Sequence, residues 1–71
     1  MIIKSGNTTH DTNVAAAELT RQVAVKAAST QAAVNTAEIA FYRTCLASAI
    51  ANNCQTSEFL LALRQLGVTG L

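Results

Sequence analysis

Between Val14 and Asn52 the chain contains neither glycine nor proline, and alanine recurs throughout, as in Ala15-Ala16-Ala17, Ala27-Ala28, Ala32-Ala33 and the alternation Ala47, Ala49, Ala51. Alanine loses no side-chain entropy on entering a helix and heads the propensity scale, and the two strong helix breakers are missing. The stretch therefore predicts one helix over about residues 14–52, roughly 58 Å long at about 1.5 Å per residue. If it is broken anywhere, the break belongs at Ser29-Thr30-Gln31, where polar side chains replace the best helix formers. Two antiparallel helices and a compact three-helix monomer would then replace the rod.

The ends of the stretch carry their own signals. Asp11, Thr12 and Asn13 offer side-chain oxygens to the first free N–H groups, and Glu18 lies close enough to suit the positive end of the helix dipole. Asn52-Asn53-Cys54-Gln55 ends the helix, because asparagine tolerates the left-handed conformation of a C-terminal cap. Thr56 or Ser57 then caps a short helix over about residues 57–66, with Glu58 in its first turn. Gly67 suits the left-handed position that follows, with Val68 placed to close back on Leu63. Ahead of all this, Met1-Ile2-Ile3-Lys4 and the turn-forming residues that follow it read as an extended arm. The expected fold is all-α: a long helix and a short C-terminal helix in a helical hairpin, one helical domain over 14–71, with an extended N-terminal arm over 1–13.

At about 100° per residue, Leu19, Val23, Val34, Phe41 and Cys45 fall on one side of the long helix. Val25, Ile39, Leu46 and Ile50 fall on nearly the opposite side, with Val14 nearby, and alanines fill much of the rest. A surface helix has one apolar stripe, so a helix apolar around most of its circumference calls for several neighbours. The short helix covers only one end with Phe59, Leu63 and Leu66 directed at Phe41 and Cys45, and leaves Leu60 and Leu61 pointing elsewhere. Five medium-sized side chains left in water forgo on the order of 10 kcal/mol, which rivals the whole net stability of an ordinary domain, about 5–15 kcal/mol.

Charge cannot make the second face soluble. Of the 71 residues only 13% are charged, against 51% hydrophobic, and the formal net charge is +1. Glu18 can meet Arg21 at i,i+3, whereas Lys26, Glu38 and Arg43 have no opposite charge at i±3 or i±4 on the same helix. Glu38 and Arg43 would be able to set the register between subunits.

Residue types that carry chemistry are sparse. His10 and Asp11 are adjacent, which by itself builds no catalytic geometry, and they read as part of a capping segment. Asp11, Glu18, Glu38 and Glu58 form no metal-binding pattern, and Gly6, Gly67 and Gly70 form no phosphate loop. Cys45 and Cys54 lie nine residues apart. On a continuous helix that is about 13 Å, beyond disulfide reach, so a bond would require the helix to end before Cys54. Both read as small buried apolar residues. No cofactor and no metal is expected. A single cation after Arg43, Arg64, gives no basic footprint for nucleic acid. The most apolar window, Ala32 to Ala51, holds Asn35, Glu38 and Arg43 and does not read as a membrane span. Met1 to Asp11 holds no secretory signal pattern, which places the expected chain in a cytoplasm or in a particle assembled there.

These observations predict a non-enzymatic structural subunit of a large assembly, with a small bacteriophage virion component of capsid or tail as its specific form. Its partners would be copies of itself or other structural proteins. The interface would comprise Ile2 and Ile3 of the arm, Leu19, Val23, Val34 and Phe41 on one face, Val25, Ile39, Leu46 and Ile50 on the other, and Leu60 and Leu61. The alternative is a small helical binding or regulatory module acting as an oligomer on a protein partner or DNA through Leu60, Leu61 and Arg64.

Overall fold

A computed structural model describes residues 8–71 as three helices: α1 Thr8–Ala27, α2 Gln31–Ala51 and α3 Ser57–Gln65. The all-α class and the hairpin arrangement hold, and among the described residues there is no strand. The single helix expected over 14–52 is two helices, parted at residues 28–30, the place where the sequence is weakest. Thr30 is the reason on the local scale. Its backbone is extended, with φ −136° and ψ 158°, and its hydroxyl accepts a hydrogen bond from the Ala33 amide at 3.1 Å. Inside a helix a threonine hydroxyl only bonds back to the carbonyl of the preceding turn, as those of Thr36 and Thr44 do, whereas at an N-cap it satisfies an amide that the helix leaves free. On the larger scale, folding the rod in half lets α1 and α2 cover one another. The longest dimension is 37 Å instead of the 58 Å or so of an unbroken helix.

The extended arm expected over residues 1–13 does not hold for residues 8–13. α1 starts at Thr8, so residues 8–13 are helical, with Asp11 in the first turn and His10 buried. Burial of the His10 ring against α2 and α3 rewards continuing the helix toward the N-terminus past the expected caps. The remainder of the arm, with Ile2 and Ile3, lies outside the described residues.

Both C-terminal signals are realised. At the end of α2, Asn53 is left-handed with φ 56°; its amide donates to the Ile50 carbonyl at 3.3 Å and the Cys54 amide donates to the Ala49 carbonyl at 2.8 Å. At the end of α3, Gly67 is left-handed with φ 89°, the Gly67 amide donates to Arg64 and the Val68 amide to Leu63, each at 3.0 Å. These paired bonds are the Schellman pattern, which satisfies carbonyls that the helix end would leave free. The start of α3 differs from expectation: Thr56 occupies the cap position without a side-chain hydrogen bond, and its carbonyl receives the Phe59 and Leu60 amides at 3.1 Å.

The core is small because its walls are small. Ala17 of α1, Cys45 and Ala49 of α2 and Phe59 of α3 form one cluster, with Val14, Phe41, Tyr42, Leu46 and Cys54 packed against it. Leu63 is fully buried as well. Alanines at the α1–α2 seam let the backbones approach toward the near end of the usual 8–10 Å range. They contribute little buried area in exchange. α3 packs on α2 and meets α1 through His10, whose ring stands edge-on to Phe59 with centroids 6.1 Å apart.

Candidate functional site

The α1–α2 seam has two flanks. On one, α3 closes the hairpin with Phe59. On the other, the seam opens into a groove of about 550 Å³ to which α3 contributes no residue. Helical spacing explains the division. On α1, Asn13, Ala16, Ala17, Thr20, Arg21 and Ala24 recur every three to four residues and form one wall. Ala37, Ala40, Phe41, Thr44, Ala47 and Ser48 do the same on α2. Most of these side chains end at a methyl group, so the groove is shallow-walled and apolar.

One end of the groove is polar. Ser48, buried, brings its Oγ within 2.8 Å of His10 Nδ1, and Asn13 Nδ2 donates to the same Oγ at 3.0 Å. Asn52 Nδ2 donates to the Ser48 carbonyl at 2.8 Å. With Asn13 donating to Oγ, the hydroxyl proton is available to Nδ1 in the tautomer that carries its proton on Nε2. The arrangement ties the first turns of α1 to the last turn of α2 and satisfies polar atoms that would otherwise be stranded beside Phe59. Among the described residues no buried side-chain polar atom lacks a partner.

Further along, Arg21 spans the seam. Its guanidinium donates through Nε to Glu18 Oε1 at 2.8 Å and through Nη2 to Oε2 at 2.5 Å, while its carbon lies 5.6 Å from the centre of the Phe41 ring on α2. The Glu18 carboxyl is held down to about 2, first by the Arg21 hydrogen bond and then by that from Gln22. The i,i+3 spacing announced this ion pair, but its stacking on Phe41 depends on a contact across the hairpin.

The cysteines are free, although α2 ends before Cys54. Cys45 is fully buried, and desolvation raises its thiol pKa and suppresses the reactive thiolate. Cys54 is half-buried. No cluster of three or more metal-ligating side chains occurs among the described residues, and no helix among them is long and apolar enough to cross a membrane.

The expected interface residues separate into two groups. Leu19, Val23, Ile50 and Leu61 are 64%, 71%, 63% and 55% exposed. Val25, Val34, Ile39, Phe41, Leu46 and Leu60 are half-buried. Ile2 and Ile3 are not among the described residues. The grouping of Leu19 and Val23 with Phe41 and Cys45 on one continuous face does not survive the break at residues 28–30, because the helical phase is lost there. Phe41 and Cys45 turn toward α1 and α3, while Leu19 and Val23 sit on α1 opposite the stripe of His10, Ala17 and Arg21 that faces α2.

Neither the groove nor the His10–Ser48 bond was anticipated from the sequence. The alternating alanines at 47, 49 and 51 flank the right segment of α2, but no local pattern announces a hydrogen bond across 38 residues. Comparison with known proteins supplies no family: no family model matches, and neither a curated protein nor a solved structure shows significant similarity.

Proposed function

We propose that this chain is a non-enzymatic structural subunit of a larger protein assembly. The observation that carries this reading is the exposure of Leu19 and Val23 on the side of α1 turned away from α2. Ile50 on α2 and Leu61 on α3 extend the uncovered apolar surface to the other helices. Covering each such side chain contributes about 1.5–3 kcal/mol, while the fold's own core offers few large residues beyond Phe59 and Leu63. Association is therefore a substantial source of stability. Within this reading we favour a small bacteriophage virion component of capsid or tail: a chain with 13% charged residues and net charge +1 lets many copies crowd together with little mutual repulsion.

The size of the untagged protein across a range of concentrations tests the assembly reading. Growth beyond one chain is expected. A mass fixed at 7.4 kDa, accompanied by a cooperative melt, overturns it. Leu61 and Arg64 are both exposed on α3 and favour a second reading, a module that docks on a protein or DNA. Salt-sensitive DNA binding by the oligomer would support that alternative.

A further inference from the structure

The α1–α2 groove, lined mostly by short side chains, and the exposed ridge of Leu19 and Val23 lie side by side on one molecule. We infer that the groove seats α1 of a second copy of this chain, so that two hairpins pair about a two-fold axis with each α1 in the other's groove. The inference rests on the assembly reading above and specifies its elementary contact.

A helix is the occupant that the walls fit. From Asn13 to Ala24 the α1 wall runs roughly 16 Å, about three helical turns. Thr20, Ala24, Ala37, Ala40, Thr44 and Ala47 line it with short side chains, which let another helix backbone come within about 8–10 Å. Ala24, Ala40, Thr44 and Ala47 are exposed, so the hairpin does not consume them in its own core.

The chain itself supplies the ridge. Leu19 and Val23 are one turn apart on α1 and adjoin the wall residues Ala16 and Thr20 at i+3 or i−3. A two-fold contact requires the same patch to provide both ridge and socket, which this patch does. Charge allows the pairing. Among the described residues Arg21 is the one charged side chain lining the groove, and it is already held by Glu18 and stacked on Phe41. The area is sufficient too. Two helices of 20 and 21 residues, each about 30 Å by 10 Å, present about 600 Å² of face, or about 1,200 Å² over the two partners, which is the lower end of the range for a specific interface.

Sedimentation equilibrium on the full chain tests the pairing. The wild type is expected at twice 7.4 kDa or a multiple of that pair. Ala40→Glu, in the socket, and Val23→Asp, on the ridge, are each expected to weaken pairing at least about ten-fold with the far-ultraviolet helix signal unchanged. Leu61→Asp, on α3, is expected to leave pairing intact. Should Ala40→Glu lose its helix signal, Thr44→Lys makes the same test from the next turn. If the wild type exceeds one chain while the socket and ridge variants keep its mass, the groove pairing is overturned and the assembly reading stands. A wild type that is one chain at every concentration overturns both.

Discussion

The two flanks of the α1–α2 seam are built from the same two helices and differ in the size of what fills them. On the closed flank, Phe59 reaches across to Ala17, Cys45 and Ala49, and the His10–Ser48 bond ties α1 to α2 at the end that the two flanks share. On the open flank, alanines and threonines predominate beside Phe41 and Arg21, and with no residue of α3 to fill the space they leave about 550 Å³ of groove. One aromatic ring from α3 converts a seam of small residues into a core. Where no such ring arrives, the same seam is a socket. Alanine at a helix seam is thus compatible with either outcome, and the third element decides which.

Removing the ring is the most damaging way to erase the difference. Phe59→Ala would leave the closed flank as empty as the open one, and the loss of a buried aromatic costs about 3–5 kcal/mol. In a domain this small that is a large part of the net stability, which for domains generally is about 5–15 kcal/mol. Urea unfolding followed by circular dichroism is expected to show the midpoint falling sharply or the transition vanishing. A loss below about 1 kcal/mol would mean that Phe59 does not hold the flank closed.

Enlarging an alanine sharpens the comparison from the other side. Ala49 is fully buried against Phe59, and Ala49→Leu forces extra carbons into filled space at a cost of about 1–3 kcal/mol. Ala24 is exposed in the groove, and Ala24→Leu is expected to change the stability of the single hairpin by no more than about 0.5 kcal/mol. Both are measured at dilutions where the mass is that of one chain. Equal effects would show that the flanks do not differ.

Ser48 tests what ties α1 to α2 at the end that the two flanks share. Ser48→Ala removes the hydroxyl from His10 Nδ1 and from Asn13, and leaves a buried ring nitrogen without that partner, at a cost of about 1–3 kcal/mol. The same loss is expected from His10→Ala, and the double variant is expected to cost less than the sum of the two, since they share one bond. Full additivity would place the stabilisation elsewhere.

Much of the backbone was legible in the sequence, and the reasons are local. Asn53 and Gly67 end their helices because a left-handed residue must follow the last turn, and few residue types adopt that conformation without strain. The break at Thr30 was legible as a weak point but not as a break. Helix propensity favours continuity there, and only the gain from laying α1 on α2 tips the balance. Once the break occurs, the helical phase is reset, which is why Leu19 and Val23 part from Phe41. The His10–Ser48 bond and the groove depend on which residues the fold brings together across the seam, and periodicity within one helix carries no such information. Glu18–Arg21 lies between these cases, its spacing legible and its seat on Phe41 not.

That ion pair also yields the smallest expected effect. The Glu18 carboxyl ordinarily titrates near 4.5 and is held at about 2 in the folded chain, so the folded state favours its charged form. Between those two values the unfolded chain binds more protons, and stability therefore falls as the pH drops through this window. Above pH 4.5 the contribution is complete. Because the pair is solvent-screened, the effect is expected to be slight and to shrink further with added salt. Thermal melts of the wild type and Glu18→Gln at a series of pH values make the check. The gap between the two melting temperatures is expected to close as the pH falls from 4.5 toward 2. A gap that stays constant would show that Glu18 acts through packing rather than through its charge on Arg21, and that the open flank owes nothing to the ion pair at its wall.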